Sequence, residues 1–331
     1  MTKVAREKKS FVLGTGCCLP KRVLTNAELE GMVDTSDDWI TTRTGITTRR
    51  ISGPGEETSK LATGAARQAL VMAGLTPADI NIILLATVSS EMSMPSCACL
   101  VQKELDAVNA FAFDLNAACS GFLYALDMAD AYLKRDPGLN ILVIGAETLS
   151  SRVNWQDRDT CVLFGDGAGA CLLNGANNGS GIIASKMFSD GRLYDLLCMD
   201  SALGLNPDLN NHQSKGSFIR MIGRDVFRYA VRAMVSAVEH VLSQSGLTVE
   251  DITLFIPHQA NIRIVKSLIE RLNVPSEKIY VNIDKYGNTS AASIPIALDE
   301  ANREGRLKKN DLLLCCAFGS GFTWGATIIR W

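Results

Sequence analysis

Two stretches of this 331-residue chain repeat each other, and that repeat restricts the fold more than any other feature. Residues 60–89 run through an Ala-rich helix pattern into Gly74-Leu75-Thr76-Pro77-Ala78-Asp79-Ile80, then into the apolar run Ile82-Ile83-Leu84-Leu85-Ala86. About 172 residues later a second helix pattern leads into Gly246-Leu247-Thr248-Val249-Glu250-Asp251-Ile252 and Leu254-Phe255-Ile256. At a similar offset, Asn140-Ile141-Leu142-Val143-Ile144-Gly145-Ala146 matches Asn310-Asp311-Leu312-Leu313-Leu314-Cys315-Cys316. Two matches at nearly one offset indicate duplicated halves of about 165 residues, too long for a solenoid repeat. Leu61, Ala65, Ala66, Ala69 and Leu70 fall at helical spacing, with Gly74 where a helix C-cap would sit. The runs at 82–86, 110–115, 140–145 and 170–173 are short, apolar and β-rich, as strands covered on both faces should be. The pattern predicts a layered α/β fold of two halves, 1–175 and 176–331, packed as one body without a low-complexity linker.

Composition removes several function classes. With 33 basic against 35 acidic side chains the net charge is −2, which argues against non-specific nucleic-acid binding. No apolar run approaches the roughly 18 residues of a membrane span. Residues 1–9 are basic and 11–19 apolar, a faint likeness to a signal peptide. Gly14 and Gly16 interrupt that stretch and Pro20-Lys21 closes it, so it reads as a first β-strand. The ten cysteines form no CxxC, and His212, His240 and His258 are the three histidines. Neither a metal site nor a disulfide framework is indicated. A reduced cytoplasmic protein fits.

The most informative stretch is Phe111-Ala112-Phe113-Asp114-Leu115-Asn116-Ala117-Ala118-Cys119-Ser120-Gly121-Phe122. A strand ends near Leu115 and a helix pattern runs from about Gly121 to Lys134, which sets Cys119 at the turn entering the helix. Free N–H groups and the positive dipole end there are expected to stabilise a thiolate. A small packing cysteine fits the same position, so placement alone does not decide. His258 follows the apolar run 254–256, at a strand end where open α/β sheets place functional groups. Asn288 lies in the small-residue turn Tyr286-Gly287-Asn288-Thr289-Ser290, where it reads equally as a turn residue. Gly319-Ser320-Gly321 makes a turn between two strands, whose backbone can approach a substrate and offer N–H donors. Gly165-Asp166-Gly167-Ala168-Gly169-Ala170 looks like a dinucleotide loop but is followed by a strand pattern, so no nicotinamide site is implied.

Taken together, these segments resemble the thiolase-fold condensing enzymes, and within them the β-ketoacyl-acyl carrier protein synthase III family. The resemblance runs from Leu13-Gly14-Thr15-Gly16 through Val33-Asp34-Thr35-Ser36-Asp37-Asp38-Trp39-Ile40 to Gly321-Phe322-Thr323-Trp324-Gly325. It implies a duplicated five-layer αβαβα fold with two pseudo-symmetric halves, the first carrying Cys119 and the second His258 and Asn288. Elongating synthases pair the cysteine with two histidines and thiolases use a second cysteine, so Gly287-Asn288-Thr289 points to the Cys-His-Asn branch. Papain-like proteases use the same three residue types, but Pro257-His258-Gln259-Ala260-Asn261 and the lack of secretory features argue against them.

The resemblance implies acylation of Cys119 by a short acyl-CoA, then decarboxylative Claisen condensation with malonyl-acyl carrier protein. His258 and Asn288 would donate hydrogen bonds to the enolate, with His258 in its neutral form. The backbone N–H groups of Cys119 and Ser320 would meet the oxyanion. Relatives often carry glycine at the Ser320 position, and serine is expected to narrow the pocket. Thr35, Trp39, Arg43, Arg158, Phe227 and Asn261 would bind CoA, with Trp39 and Arg158 on either side of the adenine. Val88, Met94, Leu149, Phe164 and Ile219 would surround the acyl chain, Met94 reaching across a homodimer interface. Met94, where relatives often have phenylalanine, suggests primers beyond acetyl. Arg228, Arg263, Lys266 and Arg271 would dock the acidic carrier protein, although Glu270 interrupts that patch. Neither metal nor bound cofactor is implied, and nucleic acid and membrane are not expected partners. A specialised acyltransferase or ketosynthase of secondary metabolism and a non-catalytic acyl-binding protein remain open.

Overall fold

The computed structural model describes residues 9–176, 180–200 and 218–331; the basic segment 1–8 and His212 lie outside them. Up to residue 176 the chain forms β1 (Lys9–Cys18), β2 (Arg22–Thr25), α1 (Asn26–Glu30), α2 (Asp37–Thr44), β3 (Thr48–Ile51), α3 (Thr58–Ala73), β4 (Ile82–Ala86), α4 (Cys97–Leu105), β5 (Phe111–Leu115), α5 (Gly121–Arg135), β6 (Asn140–Thr148), α6 (Arg158–Cys161) and β7 (Asp166–Ala176). Then follow β8 (Gly181–Ser189), β9 (Leu197–Met199), β10 (Ile219–Met221), α7 (Gly223–Ser245), β11 (Leu254–Pro257), α8 (Ile262–Leu272), α9 (Ile283–Tyr286), α10 (Ser293–Arg303), β12 (Leu312–Gly319) and β13 (Thr323–Arg330).

The repeated motif folds alike in both places. Gly74 (φ 67°) ends α3 and Gly246 (φ 68°) ends α7, each in the left-handed conformation that releases the chain from a helix. Two residues on, the Thr76 amide and hydroxyl donate to one Asp79 oxygen at 2.8 and 2.7 Å. Thr248 does the same to Asp251 at 2.8 and 3.0 Å. Each turn then delivers a buried parallel strand: β4 between β5 and β6, and β11 beside β12.

One sheet has the order β1-β7-β6-β4-β5 and the other β11-β12-β13-β8. Between them lie α5 and α10, whose apolar sides share one core with residues of both sheets, including Leu84, Val143, Ile256 and Leu313. Helices α3 and α4 cover the outer face of the first sheet, and α7 and α8 that of the second. The result is the five-layer αβαβα arrangement of the thiolase fold. A fourth apolar cluster, containing Leu24, Ile40, Leu149 and Phe164, forms a cap beside the strand ends. Arg49 is fully buried within it and ties the β2–β3 hairpin to Val162 O at 2.9 Å.

The run 110–115 was expected to be covered on both faces, but β5 is the last strand of its sheet. Phe111 is 50 % exposed and Ala112 to Leu115 are only partly buried, because within the described residues no strand pairs with that edge. The expected strand at 140–145, by contrast, continues to Thr148 and carries the buried Glu147.

The middle helix layer sits very close to the sheet. A Cβ placed on Gly145 would lie 2.2 Å from the Ala291 carbonyl oxygen and 2.7 Å from its carbon. Both are backbone atoms, so no rotamer change relieves the contact. Gly145→Ala is therefore expected to cost about 1–3 kcal/mol, as overpacking does. A lower urea midpoint with an unchanged m value would show it.

Candidate active site

Cys119 lies in a short 3-10 turn, Ala118–Ser120, that precedes α5. The end of β12 presses on this turn: a Cβ on Gly319 would come within 2.7 Å of the Cys119 amide nitrogen. Glycine at 319 thus lets the Ser320 backbone stand beside the Cys119 amide. Within the described residues, no backbone acceptor takes the Cys119 or the Ser320 N–H. The Ser320 hydroxyl donates to the carbonyl of Leu197, a residue that lines the cleft.

His258 follows β11 and its amide donates to Cys316 O at 2.8 Å, which fixes the residue at the strand end. Its Nδ1 lies 2.6 Å from the Ser293 hydroxyl. That hydroxyl already accepts from the Gln259 amide at 3.4 Å and has no other acceptor among the described residues. It therefore donates to Nδ1, which leaves the proton of a neutral ring on Nε2. Asn288 is held by a two-way backbone pairing with the loop after α6: its amide donates to Leu163 O at 2.8 Å, and Gly165 N donates to its carbonyl at 3.1 Å. Its Oδ1 accepts from Ser290 N at 2.9 Å, so the Nδ2 group is its outward end.

Cys119, His258 and Asn288 all line one cleft of about 470 Å³. Its mouth carries Trp39, Arg43, Phe227, Asn261 and Arg263, and its wall includes Phe164 and Phe318. Arg43, Arg224 and Arg263 against Asp159 give the mouth a positive balance suited to an anionic ligand. The Arg43 and Arg158 guanidinium groups lie 4.5 and 4.6 Å from the Trp39 ring centroid. Arg158 also donates to Asp34 O at 2.9 Å. Trp39 and Arg158 are thus in direct contact, and a ring entering between them must displace the arginine. Thr35 is nearby in sequence, with its hydroxyl buried and without a hydrogen-bond partner. Arg263 sits over the Phe227 ring at 5.5 Å, and Asn261 caps α8 through its Oδ1.

Of the residues assigned to the acyl chain, Val88, Leu149, Phe164 and Ile219 meet in the cap cluster. Met94 stands apart, 86 % exposed on the surface of this chain. Arg228, Lys266 and Arg271 are also exposed. Arg228 is paired with Asp225 at 3.1 Å, and Arg271 lines a separate groove with Arg232 and Glu239. Sequence reading missed Arg224, Ser290, Ser293 and Glu147. Only Glu147 left a signal, a carboxylate directly continuing an apolar strand run.

Burial governs the electrostatics. The helix entrance was expected to favour a Cys119 thiolate, but desolvation dominates and pushes the thiol up to about 12, with the Ser290 hydroxyl and the Cys119 amide opposing it. Burial lowers His258 to about 3 from its ordinary 6.5, so the ring stays neutral. Because unfolding frees the ring to take a proton below pH 6.5, His258 contributes a component of stability that is lost as pH drops from there toward 3, opposed over part of that range by the raised Glu147 carboxyl. The slope approaches at most about 1.4 kcal/mol per pH unit. His258→Gln is expected to lack that component, which unfolding free energies at pH 7, 6 and 5 would reveal.

Known proteins align with this chain over nearly its whole length. Residues 113–191 match the family model for 3-Oxoacyl-[acyl-carrier-protein (ACP)] synthase III, and residues 242–331 match the model for its C-terminal part. A curated Beta-ketoacyl-[acyl-carrier-protein] synthase III from Desulfotalea psychrophila is 53% identical over 320 residues, covering 97% of this chain and 99% of the relative. The crystal structure of 3-oxoacyl-[acyl-carrier-protein] synthase III from Aquifex aeolicus has 51% identity and a TM-score of 0.91, covering 97% of this chain and 100% of that one. The priming beta-ketosynthase of the R1128 polyketide pathway has 34% identity and a TM-score of 0.92, covering 99% and 98%.

Proposed function

This chain belongs to the β-ketoacyl-[acyl-carrier-protein] synthase III family, and on that footing we propose that it initiates type II fatty acid synthesis by condensing a short acyl-CoA with malonyl-acyl carrier protein. The convergence of Cys119, His258 and Asn288 in one cleft with a cationic mouth is the observation that carries this reading. The Cys119 sulfur attacks the acyl-CoA carbonyl, its proton is given up, and CoA leaves as the thiol. Exchange of one thioester for another is nearly balanced, so the step needs orientation and charge stabilisation more than driving force. The free N–H groups of Cys119 and Ser320 receive the oxyanion.

Malonyl-acyl carrier protein then binds and loses carbon dioxide. The developing enolate oxygen accepts from His258 Nε2–H and Asn288 Nδ2–H, two neutral donors that hold it without protonating its carbon. That carbon attacks acyl-Cys119, the C–S bond breaks, the released sulfur takes up one proton from solvent to restore the thiol, and the β-ketoacyl product leaves on the carrier protein. Thr35, Trp39, Arg43, Arg158, Phe227 and Asn261 hold CoA. Val88, Leu149, Phe164 and Ile219 bound the acyl group. Arg228, Arg263 and Lys266 meet the acidic carrier protein at the mouth, with Arg271 further along α8. The half-open edge at β5 and the exposed Met94 favour a homodimer in which Met94 completes a partner's acyl pocket. The duplicated halves 1–175 and 176–331, a cytoplasmic location and independence from metals and bound cofactors complete the reading. No described helix is long and apolar enough to cross a membrane.

Intact-mass measurement with acetyl-CoA and longer acyl-CoAs tests the cycle. An adduct lost in Cys119→Ser, and discharged as β-ketoacyl product by malonyl-acyl carrier protein, is expected. No adduct from any primer would refute the assignment of Cys119, and an adduct that persists would favour an acyltransferase with another acceptor. His258→Ala and Asn288→Ala should still acylate but lose about 10²- to 10³-fold in condensation, as removal of an oxyanion donor does. Lys266→Glu, exposed on α8 and outside the cleft lining, should raise KM for malonyl-acyl carrier protein while leaving single-turnover acylation within about twofold.

A further inference from the structure

The two enolate donors reach the cleft from different segments, yet one helix touches the supports of both. His258 is held at its Nδ1 by Ser293, the first residue of α10. Glu300 lies about two turns further along the same side of that helix. Its Oε2 accepts from the Asn282 side-chain amide at 2.7 Å, and its Oε1 from the Tyr286 hydroxyl at 2.5 Å. The Tyr280 hydroxyl stands 3.5 Å from Oε2. Asn282 immediately precedes α9 and Tyr286 ends it, so Glu300 clamps α9 at both ends.

Helix α9 leads straight into Asn288. The Gly287 amide closes it by donating to Ile283 O at 2.9 Å, and Gly287 turns the chain at φ 66°. This corner is wedged against the loop after α6, where a Cβ on Gly165 would strike the Tyr286 carbonyl oxygen and one on Gly287 would lie 2.8 Å from Leu163 O. At the other end of α9 the Asn282 amide donates to Gln259 Oε1 at 3.3 Å. Gln259, buried and next to His258, donates in turn to Pro257 O at 2.8 Å and Tyr280 O at 3.2 Å. The short helix therefore bridges the backbone beside His258 and the backbone of Asn288.

We propose that Glu300 is a positioning residue for the condensation step: by clamping α9 onto α10 it sets the spacing between His258 Nε2 and Asn288 Nδ2. This rests on the reading of His258 and Asn288 as the enolate donors. A donor stabilises developing charge only where that charge appears, and a displacement of about 1 Å can cost about 10²-fold. A carboxylate suits the task, since it holds two neutral donors more firmly than a neutral acceptor would. Glu300 does not line the cleft, so it acts on the enolate only through α9. The groups that serve acylation have other supports. The Thr323 hydroxyl donates to Ala117 O at 2.9 Å and the Ser120 hydroxyl to Thr323 O at 3.0 Å, which fastens the Cys119 turn to the end of β12 without α9.

Measuring the two half-reactions separately tests this. Single-turnover acylation by acetyl-CoA, followed by intact mass, reports Cys119. Discharge of that acyl-enzyme by saturating malonyl-acyl carrier protein reports the donors. Glu300→Ala should acylate within about twofold of wild type but discharge about tenfold to 10²-fold more slowly. Tyr286→Phe removes one of the two held groups and should show a smaller loss of the same kind. Combined with Glu300→Ala it should add no further loss, because the bond it removes is already gone. Glu300→Gln keeps the shape and one accepting oxygen, so it should recover part of the discharge rate, and it carries the test if Glu300→Ala does not fold. Equal falls in both half-reactions, no fall in either, or additive losses in the double variant would overturn the proposal. Normal discharge in His258→Ala and Asn288→Ala would instead overturn the donor reading on which it rests.

Discussion

Two sheets can share a single buried helix layer only where backbone meets backbone at close range. That approach is made where the turn before α10 lies against Gly145 of β6, and where the end of β12 lies against the amide of Cys119. Side chains at these points would prise the layers apart. With them absent, the ends of β6, β11 and β12 and the entrances of α5 and α10 converge on one small volume. Everything chemical in the molecule depends on this convergence, because Cys119, His258, Asn288 and Ser320 come from four separate segments.

The same closeness sets the electrostatics. Little water reaches the inner end of the cleft, so every ionisable group there is pushed toward its neutral form: Cys119 upward, His258 downward and Glu147 upward. For a reaction through an enolate this is favourable, since neutral N–H donors stabilise negative charge without handing over a proton prematurely. It also means that the helix entrance alone does not activate the thiol. The dipole acts on a group whose desolvation outweighs it. The mouth behaves oppositely. Arg43, Arg158, Arg224 and Arg263 gather there, and they bias the cleft toward anionic carriers without entering its chemistry.

Much of this was legible in the chain. The Gly-Leu-Thr repeat announced the duplicated layers, and its two copies share glycine conformation and threonine–aspartate bonds. Apolar runs located the strands at 82–86 and 140–145, because a strand buried on both faces has nowhere to put polar groups. The run at 110–115 misled for the same reason. Its composition resembles that of a central strand, but position in the sheet order, not composition, makes β5 an edge. Cys119, His258 and Asn288 were visible as residues at element ends.

By itself the sequence determined the kinds of elements, their order, the duplication and the residues able to do nucleophilic and hydrogen-bonding chemistry, since these follow from local periodicity and side-chain type. Only the tertiary structure decided which groups share an environment. The Nε2 proton of His258 depends on Ser293, 35 residues away, and the outward Nδ2 of Asn288 on the turn that follows it. Glu147 gains its orphaned oxygen from the way β6 meets the Ser290 turn. Protonation preferences and free donors are properties of a desolvated volume, and that volume exists only after distant segments have packed around it.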